Sequence, residues 1–171
     1  MSLNESHPLI ARSPCEQQNH QDMIQMKLKT TLVALAASLS AVLANAAEVT
    51  VTADDTMRFD TATIEATAGE PLTIVFKNQG SLPKAAMGHN LVVLKPGSDL
   101  ATFGNAAVTA AANEYIPTQP DLAAQVLGHS KLLGPKESDT FILTFDAPGE
   151  YPFLCSFPGH WALMKGAIVV K

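Results

Sequence analysis

The chain has 171 residues, of which 47% are hydrophobic, 6% aromatic and 16% charged, and its formal net charge is −5. Segment 47–171 carries all of that charge, with 8 Lys and Arg against 13 Asp and Glu, because the first 46 residues balance at 3 and 3. An acidic balance argues against nucleic-acid binding, and about 125 residues make one domain with room for a real core.

Residues 1–25 are polar and aperiodic, contain Pro8 and Pro14, and precede a plausible start at Met26. They read as a disordered upstream extension, outside the native chain. Residues 26–46 read as a secretory signal peptide. Lys27 and Lys29 give a positive start, Thr31 to Leu43 an apolar stretch, and Ala44-Asn45-Ala46 a small-residue cleavage site before Ala47. A transmembrane anchor fits less well, since the stretch falls short of the roughly 20 residues a span requires. No cysteine follows the cleavage point, so lipid attachment there is not indicated. The expectation is a periplasmic protein, mature from about Ala47, with no membrane anchoring after cleavage.

The segment 47–171 is rich in strand patterns. EVTVTA alternates with period two, TATIEATAG follows, and in PLTIVFKNQ the residues Leu72, Ile74 and Phe76 alternate with Thr73, Val75 and Lys77. NLVVLKP comes next. Later, Phe141, Leu143 and Phe145 alternate with Ile142, Thr144 and Asp146, and EYPFLC and GAIVVK complete the series. Turn signals such as Ala147-Pro148-Gly149 separate the runs. Six or seven short strands predict an all-β domain, an antiparallel sandwich or barrel. Between Pro96 and Lys136 the chain is alanine-rich and too long for a structureless loop. It predicts a flap with one or two short helices, the first capped by Ser98 with Asp99 in its first turn, the second starting at Thr118 or Asp121.

One short segment carries chemistry. CSFPGHWALM holds Cys155, His160 and Met164 within ten residues, with Pro158-Gly159 in its middle. On a helix His160 would lie roughly 140° and Met164 about 180° round from Cys155, so the three side chains would point apart. A strand, a tight loop and a strand can instead turn them to one point. Cys155 is also the sole cysteine of segment 47–171, since Cys15 lies upstream. A lone thiol in an oxidising compartment is a liability unless something occupies it. Thiolate, imidazole and thioether are donors suited to copper, and two histidines, a cysteine and a weak axial methionine make the blue-copper arrangement. The second histidine is either His89, at the mouth of a strand, or His129, in the flap. The rest of the constellation favours His89, and His129 reads as a surface residue.

The pattern M-G-H-N at Met87–Asn90, then C-x4-H-x3-M from Cys155 to Met164 with Lys-Gly behind it, resembles the azurins, blue-copper proteins of the cupredoxin superfamily. Leu82-Pro83-Lys84, His129-Ser130-Lys131-Leu132 and Phe157-Pro158-Gly159-His160 resemble azurin segments as well, and the likeness covers 47–171. It implies a Greek-key antiparallel β-sandwich with a short helical flap between middle strands, one copper ion per chain and no catalytic activity. His89, Cys155 and His160 would be the equatorial ligands, Met164 the weak axial one, and the Gly88 carbonyl a distant contact. Asn90 would tie the ligand loops together, and N–H groups near Ser156 and Phe157 would donate to the thiolate. A docking patch would comprise Met57, Leu82, Met87, Pro158, Gly159 and Trp161, although Met57 and Met87 suit core filling equally. The partners implied are c-type cytochromes or a terminal reductase or oxidase, met by a monomer.

Four positions depart from the azurin pattern. Val49 stands where a disulfide cysteine is expected, which removes a staple worth about 2–4 kcal/mol. Leu91 or a neighbour takes the place of a buried tryptophan, Asn78 that of a histidine, and Trp161 that of a small polar residue. The implied function is single-electron transfer. Its rivals are a periplasmic copper buffer or chaperone, which would need exposed, exchangeable ligands, and a Cys-His enzyme, in which Met164 would have no use.

Overall fold

The computed structural model describes residues 46–171. The expectations for residues 1–25 and for the signal peptide lie outside the described residues, apart from Ala46 at its end.

Eight strands form the domain: β1 (Ala47–Ala53), β2 (Thr63–Ala66), β3 (Pro71–Asn78), β4 (Val92–Leu94), β5 (Val126–His129), β6 (Ser138–Thr144), β7 (Gly149–Leu154) and β8 (Lys165–Val170). They make a three-stranded sheet in the order β1-β3-β6 and a five-stranded sheet in the order β2-β8-β7-β4-β5. The sandwich is as expected, but both sheets are mixed. β1 runs parallel to β3 and β2 parallel to β8, while the remaining pairs are antiparallel. Alternation within a strand sets which face is buried; it carries no information on the direction of a distant partner.

The alternation itself holds. Leu72, Ile74 and Phe76 of β3 face inward with Val51 of β1 and Leu143 of β6, and they meet Phe153 and Ile168 of the other sheet. β4 differs, being buried on both faces. Val93 joins this inter-sheet core, whereas Val92 and Leu94 belong to a second cluster with Phe103, Ile116 and Leu154. A continuous apolar run is what such a doubly covered strand requires.

The cover over the second cluster is the flap. It contains α2 (Leu100–Ala107), a 3₁₀ turn (Ala111–Asn113) and α3 (Pro120–Ala123); the earlier α1 (Lys84–Met87) is a single turn. Asp99, rather than Ser98, caps α2, its carboxylate accepting the N–H groups of Ala101 and Thr102 at 2.9 and 3.3 Å. α3 follows Gln119 with Pro120 at its first position, so neither Thr118 nor Asp121 caps it. The flap also yields β5, a strand that sequence periodicity missed. Val126–His129 is four residues with a glycine inside, and it forms because β4 offers a backbone edge for it to pair with.

Candidate metal centre

β7 ends at Leu154, and the next ten residues close on themselves. The Cys155 N–H donates to the Met164 carbonyl at 3.0 Å, so the first and last residues of the loop meet. Within it, His160 N–H donates to Phe157 O at 3.0 Å and Met164 N–H to His160 O at 2.8 Å. Gly159 has φ +82°, a left-handed conformation that glycine adopts without steric cost. The loop turns Cys155, His160 and Met164 inward, and all three are buried.

His89 arrives from another part of the chain, just before β4. A two-way backbone bridge to Leu133 holds it, at 3.1 and 2.7 Å. Gly88 is buried beside it, where a Cβ would lie 2.7 Å from the Lys84 carbonyl and 3.2 Å from the Leu132 side chain. The His89 ring is pinned by its Nε2, 3.0 Å from the Asp54 carbonyl. A carbonyl can only accept, so Nε2 carries the proton and the Nδ1 lone pair is free. That Nδ1 faces the Cys155 sulfur at 4.0 Å, and the His160 Nδ1 faces it at 3.6 Å. Donor atoms of His89, Cys155 and His160 all lie within 4.8 Å of one another.

Asn90 joins the two halves. Its Oδ1 accepts the Ser156 N–H at 2.8 Å, and its Nδ2 donates to the Ser156 hydroxyl at 2.9 Å and to the Glu114 carbonyl at 3.0 Å. The Ser156 N–H is therefore directed at Asn90. The N–H groups that bond to the Cys155 sulfur are those of Asn90 and Phe157.

Burial dominates the electrostatics. It pushes the Cys155 thiol up to about 12, against the two N–H groups that favour the thiolate. It pulls His160 down to about 4, with the neighbouring His89 adding to the effect. His89 is lowered as well, again chiefly by burial, while the Asp54 carbonyl and the Asp54 and Asp55 carboxylates oppose the shift. Without a cation the pocket favours two neutral imidazoles and a neutral thiol, and a buried thiolate needs a positive partner. A soft donor set with free lone pairs converging on one point fits copper.

The remaining candidates differ in exposure. Leu82 is 42% exposed; Met57, Met87, Pro158 and Trp161 are part-buried; Gly159 is exposed. Met57 has φ +57° and packs against the main core. Trp161 packs against the second cluster, with its ring over Gly104 of α2. Leu163, beside Met164, is 52% exposed. His129 is exposed and outside the cluster, its Nδ1 at 3.0 Å from the Ser130 carbonyl. Asn78 is buried, donating to Leu133 O at 3.3 Å and accepting from Gly80 N–H at 2.8 Å. Leu91 is fully buried in the main core, and Val49 packs against its edge.

Sequence reasoning also missed Asp54 and Asp55. Asp54 acts through its backbone carbonyl, which no side-chain pattern reveals. The Asp55 carboxylate accepts Ser81 N–H and Oγ–H at 2.9 and 2.8 Å and Leu82 N–H at 3.3 Å, clamping the loop after β1 to the one after β3.

A two-sheet β-sandwich with two imidazoles, a thiol and a thioether buried in the loops at one end defines a cupredoxin. A family model described as copper binding proteins, plastocyanin/azurin family, matches residues 45–171. Azurin of Alcaligenes faecalis is 39% identical over 130 residues, covering 72% of this chain and 97% of that protein. Outer membrane protein H.8 of Neisseria meningitidis serogroup B is 42% identical over 126 residues, covering 71% of this chain and 66% of that protein. Auracyanin A, a "blue" copper protein of Chloroflexus aurantiacus, aligns structurally with a TM-score of 0.67 at 28% identity, over 74% of this chain and 100% of that one. The chain belongs to the plastocyanin/azurin family and is an azurin-type, copper-binding cupredoxin.

Proposed function

We propose that residues 47–171 form an exported blue (type 1) copper protein that carries single electrons between redox partners. In this reading His89, Cys155 and His160 would hold the copper, Met164 would be a weaker ligand and the Gly88 carbonyl a more distant contact. The observation that carries it is the convergence of the His89, Cys155 and His160 donor atoms within 4.8 Å, all buried. Copper held there would supply one-electron redox chemistry.

The chain's own part is to hold these donors still. The Asp54 carbonyl fixes the His89 tautomer, and Asn90 binds the His89 segment to the Cys155 loop through Ser156. The Phe157 N–H stabilises sulfur charge, and hydrogen bonds of this kind tune a metal. Buried Phe157, Leu132 and Leu133 help to exclude water. His160, 3% exposed and next to Pro158 and Gly159 in the chain, would be the ligand through which an electron leaves. The docking patch is Met57, Leu82, Met87, Pro158, Gly159 and Trp161, of which Leu82 and Gly159 are exposed and the others part-buried; an apolar surface of this kind suits a transient interface. The partners are c-type cytochromes or a terminal reductase or oxidase, and the protein acts as a monomer.

Export to the periplasm is supported by the Ala44-Asn45-Ala46 signal and by likeness to a protein named for the outer membrane. Among the described residues no helix is long and apolar enough to cross a membrane.

The test is the visible spectrum after adding Cu(II), repeated with Cys155→Ser. An intense thiolate-to-copper band is expected, bleached by reductant, restored by oxidant and lost in the variant. A colourless protein that takes up only Cu(I) and surrenders it to a chelator would replace the carrier with a copper buffer or chaperone.

A further inference from the structure

We infer that Trp161 and Gly104 form a strap that positions the His160–Met164 turn of the metal centre, so that the flap helix α2 becomes part of the machinery holding the ligands. The inference rests on the copper-site reading above. Its starting point is a glycine in the interior of α2, where glycine is among the poorest helix formers. Gly104 is buried, has no positive φ, and serves no turn. What it provides is room. A Cβ there would overlap the Cβ, Cγ and Cδ1 atoms of Trp161. The indole sits on the helix backbone itself, and its edge reaches the second core, where Phe103 and Leu154 lie.

Trp161 follows His160 directly and stands inside the turn that ends at Met164. The His160 carbonyl accepts the N–H groups of Leu163 and Met164 at 3.0 and 2.8 Å, so residues 160–164 move as one turn. Anchoring Trp161 therefore anchors the turn. The other fixed points of the loop lie toward its start: Asn90 holds Ser156, and the N–H groups of Asn90 and Phe157 hold the sulfur. The Cys155–Met164 backbone bond ties the two ends of the loop to each other, and the Phe157 ring, 5.1 Å from Tyr115 and 4.7 Å from the His160 ring, braces its middle from one side. The indole on Gly104 ties the other side to α2, one residue from His160. Trp161 is a positioning residue, acting through the ligands.

Because Trp161 is the only tryptophan in the chain, its emission reports the contact without interference. The experiment compares the full chain with Trp161→Ser, Trp161→Phe and Gly104→Ala. Release of Cu(II) and of Zn(II) to a chelator is followed together with the visible band, the reduction potential and thermal unfolding. Trp161→Ser should release metal about tenfold faster, a loss typical of residues that orient ligands, and should shift the visible band and the potential. Gly104→Ala should red-shift the tryptophan emission and reproduce those changes with every loop residue intact. Trp161→Phe should restore most of the parent behaviour. Variants that unfold more easily yet keep the parent band, potential and release rates would reduce Trp161 to core filling and overturn the inference. If Gly104→Ala does not fold, the two Trp161 variants decide the matter. A parent that stays colourless with Cu(II) but retains Zn(II) would overturn the blue-copper reading alone, and zinc release would then decide the role of Trp161.

Discussion

The two halves of the metal centre are built by opposite means. The Cys155–Met164 half is local. Ten consecutive residues supply three donors, and their own backbone bonds close the loop. The His89 half is assembled from afar. One imidazole is held by Asp54 after β1, by Leu133 before β6, and through Asn90 by Ser156 and Glu114. The local half explains why the site leaves a readable signature. The distant half explains why the site is rigid, since moving His89 means moving four segments. Asn90 is where the halves meet.

Asn90→Ala should therefore have the largest effect. It leaves the buried Ser156 N–H and the part-buried Glu114 carbonyl without their partner, at a cost of about 2 kcal/mol in unfolding free energy. It should also speed copper release by roughly 10–100-fold, as loss of an outer hydrogen bond at a metal site commonly does. Urea unfolding and chelator kinetics measure the two effects, and a variant matching the parent in both would show that the halves are independently held.

A pH series comes next and involves one imidazole from each half. In the metal-free protein, burial lowers His160 to about 4 and lowers His89 as well. Below 6.5, the ordinary value of a histidine, the unfolded chain binds protons at these residues while the folded chain does not. Stability thus rises with pH over this window. It is lost as pH falls from 6.5 through about 4, below which His160 contributes no further slope. Unfolding midpoints between those values should drop steadily, and His160→Gln should flatten the curve by its share. A level profile in the metal-free parent would contradict the burial of the imidazoles.

A glycine in each half separates them further, with effects confined to that half. At Gly88 an added Cβ meets the Lys84 carbonyl and Leu132, so Gly88→Ala should cost about 1–3 kcal/mol and disturb the copper band through His89. At Gly159 there is open space but φ is +82°, so Gly159→Ala should cost only about 1 kcal/mol, from backbone strain. Thermal unfolding with the visible spectrum distinguishes them. The comparison fails if Gly159→Ala proves the more damaging of the two.

Legibility follows the same division. The period-two runs of β3 and β6 turn the residues they announce inward, Phe141 part-buried and the others buried, because alternation is a property of a strand alone. Cys155, His160 and Met164 were legible because their spacing excludes a helix and selects a loop. His89 was found by its place in a constellation, and its pinning by Asp54 was hidden because a backbone carbonyl leaves no mark on composition. β5 was hidden because four residues around Gly128 pair only where β4 offers an edge. Gly104 and Trp161 each look anomalous alone, and nothing in the chain pairs them.

The amino-acid sequence by itself determined the strand content, the buried faces, the soft donor set and the copper it suits, because these depend on residue type and short-range spacing. The tertiary structure alone decided the parallel pairings, the bonds that join His89 to the Cys155 loop, and the seat of Trp161 on α2. Those are contacts between segments far apart in the chain, and only packing of the whole domain brings such groups within reach of each other.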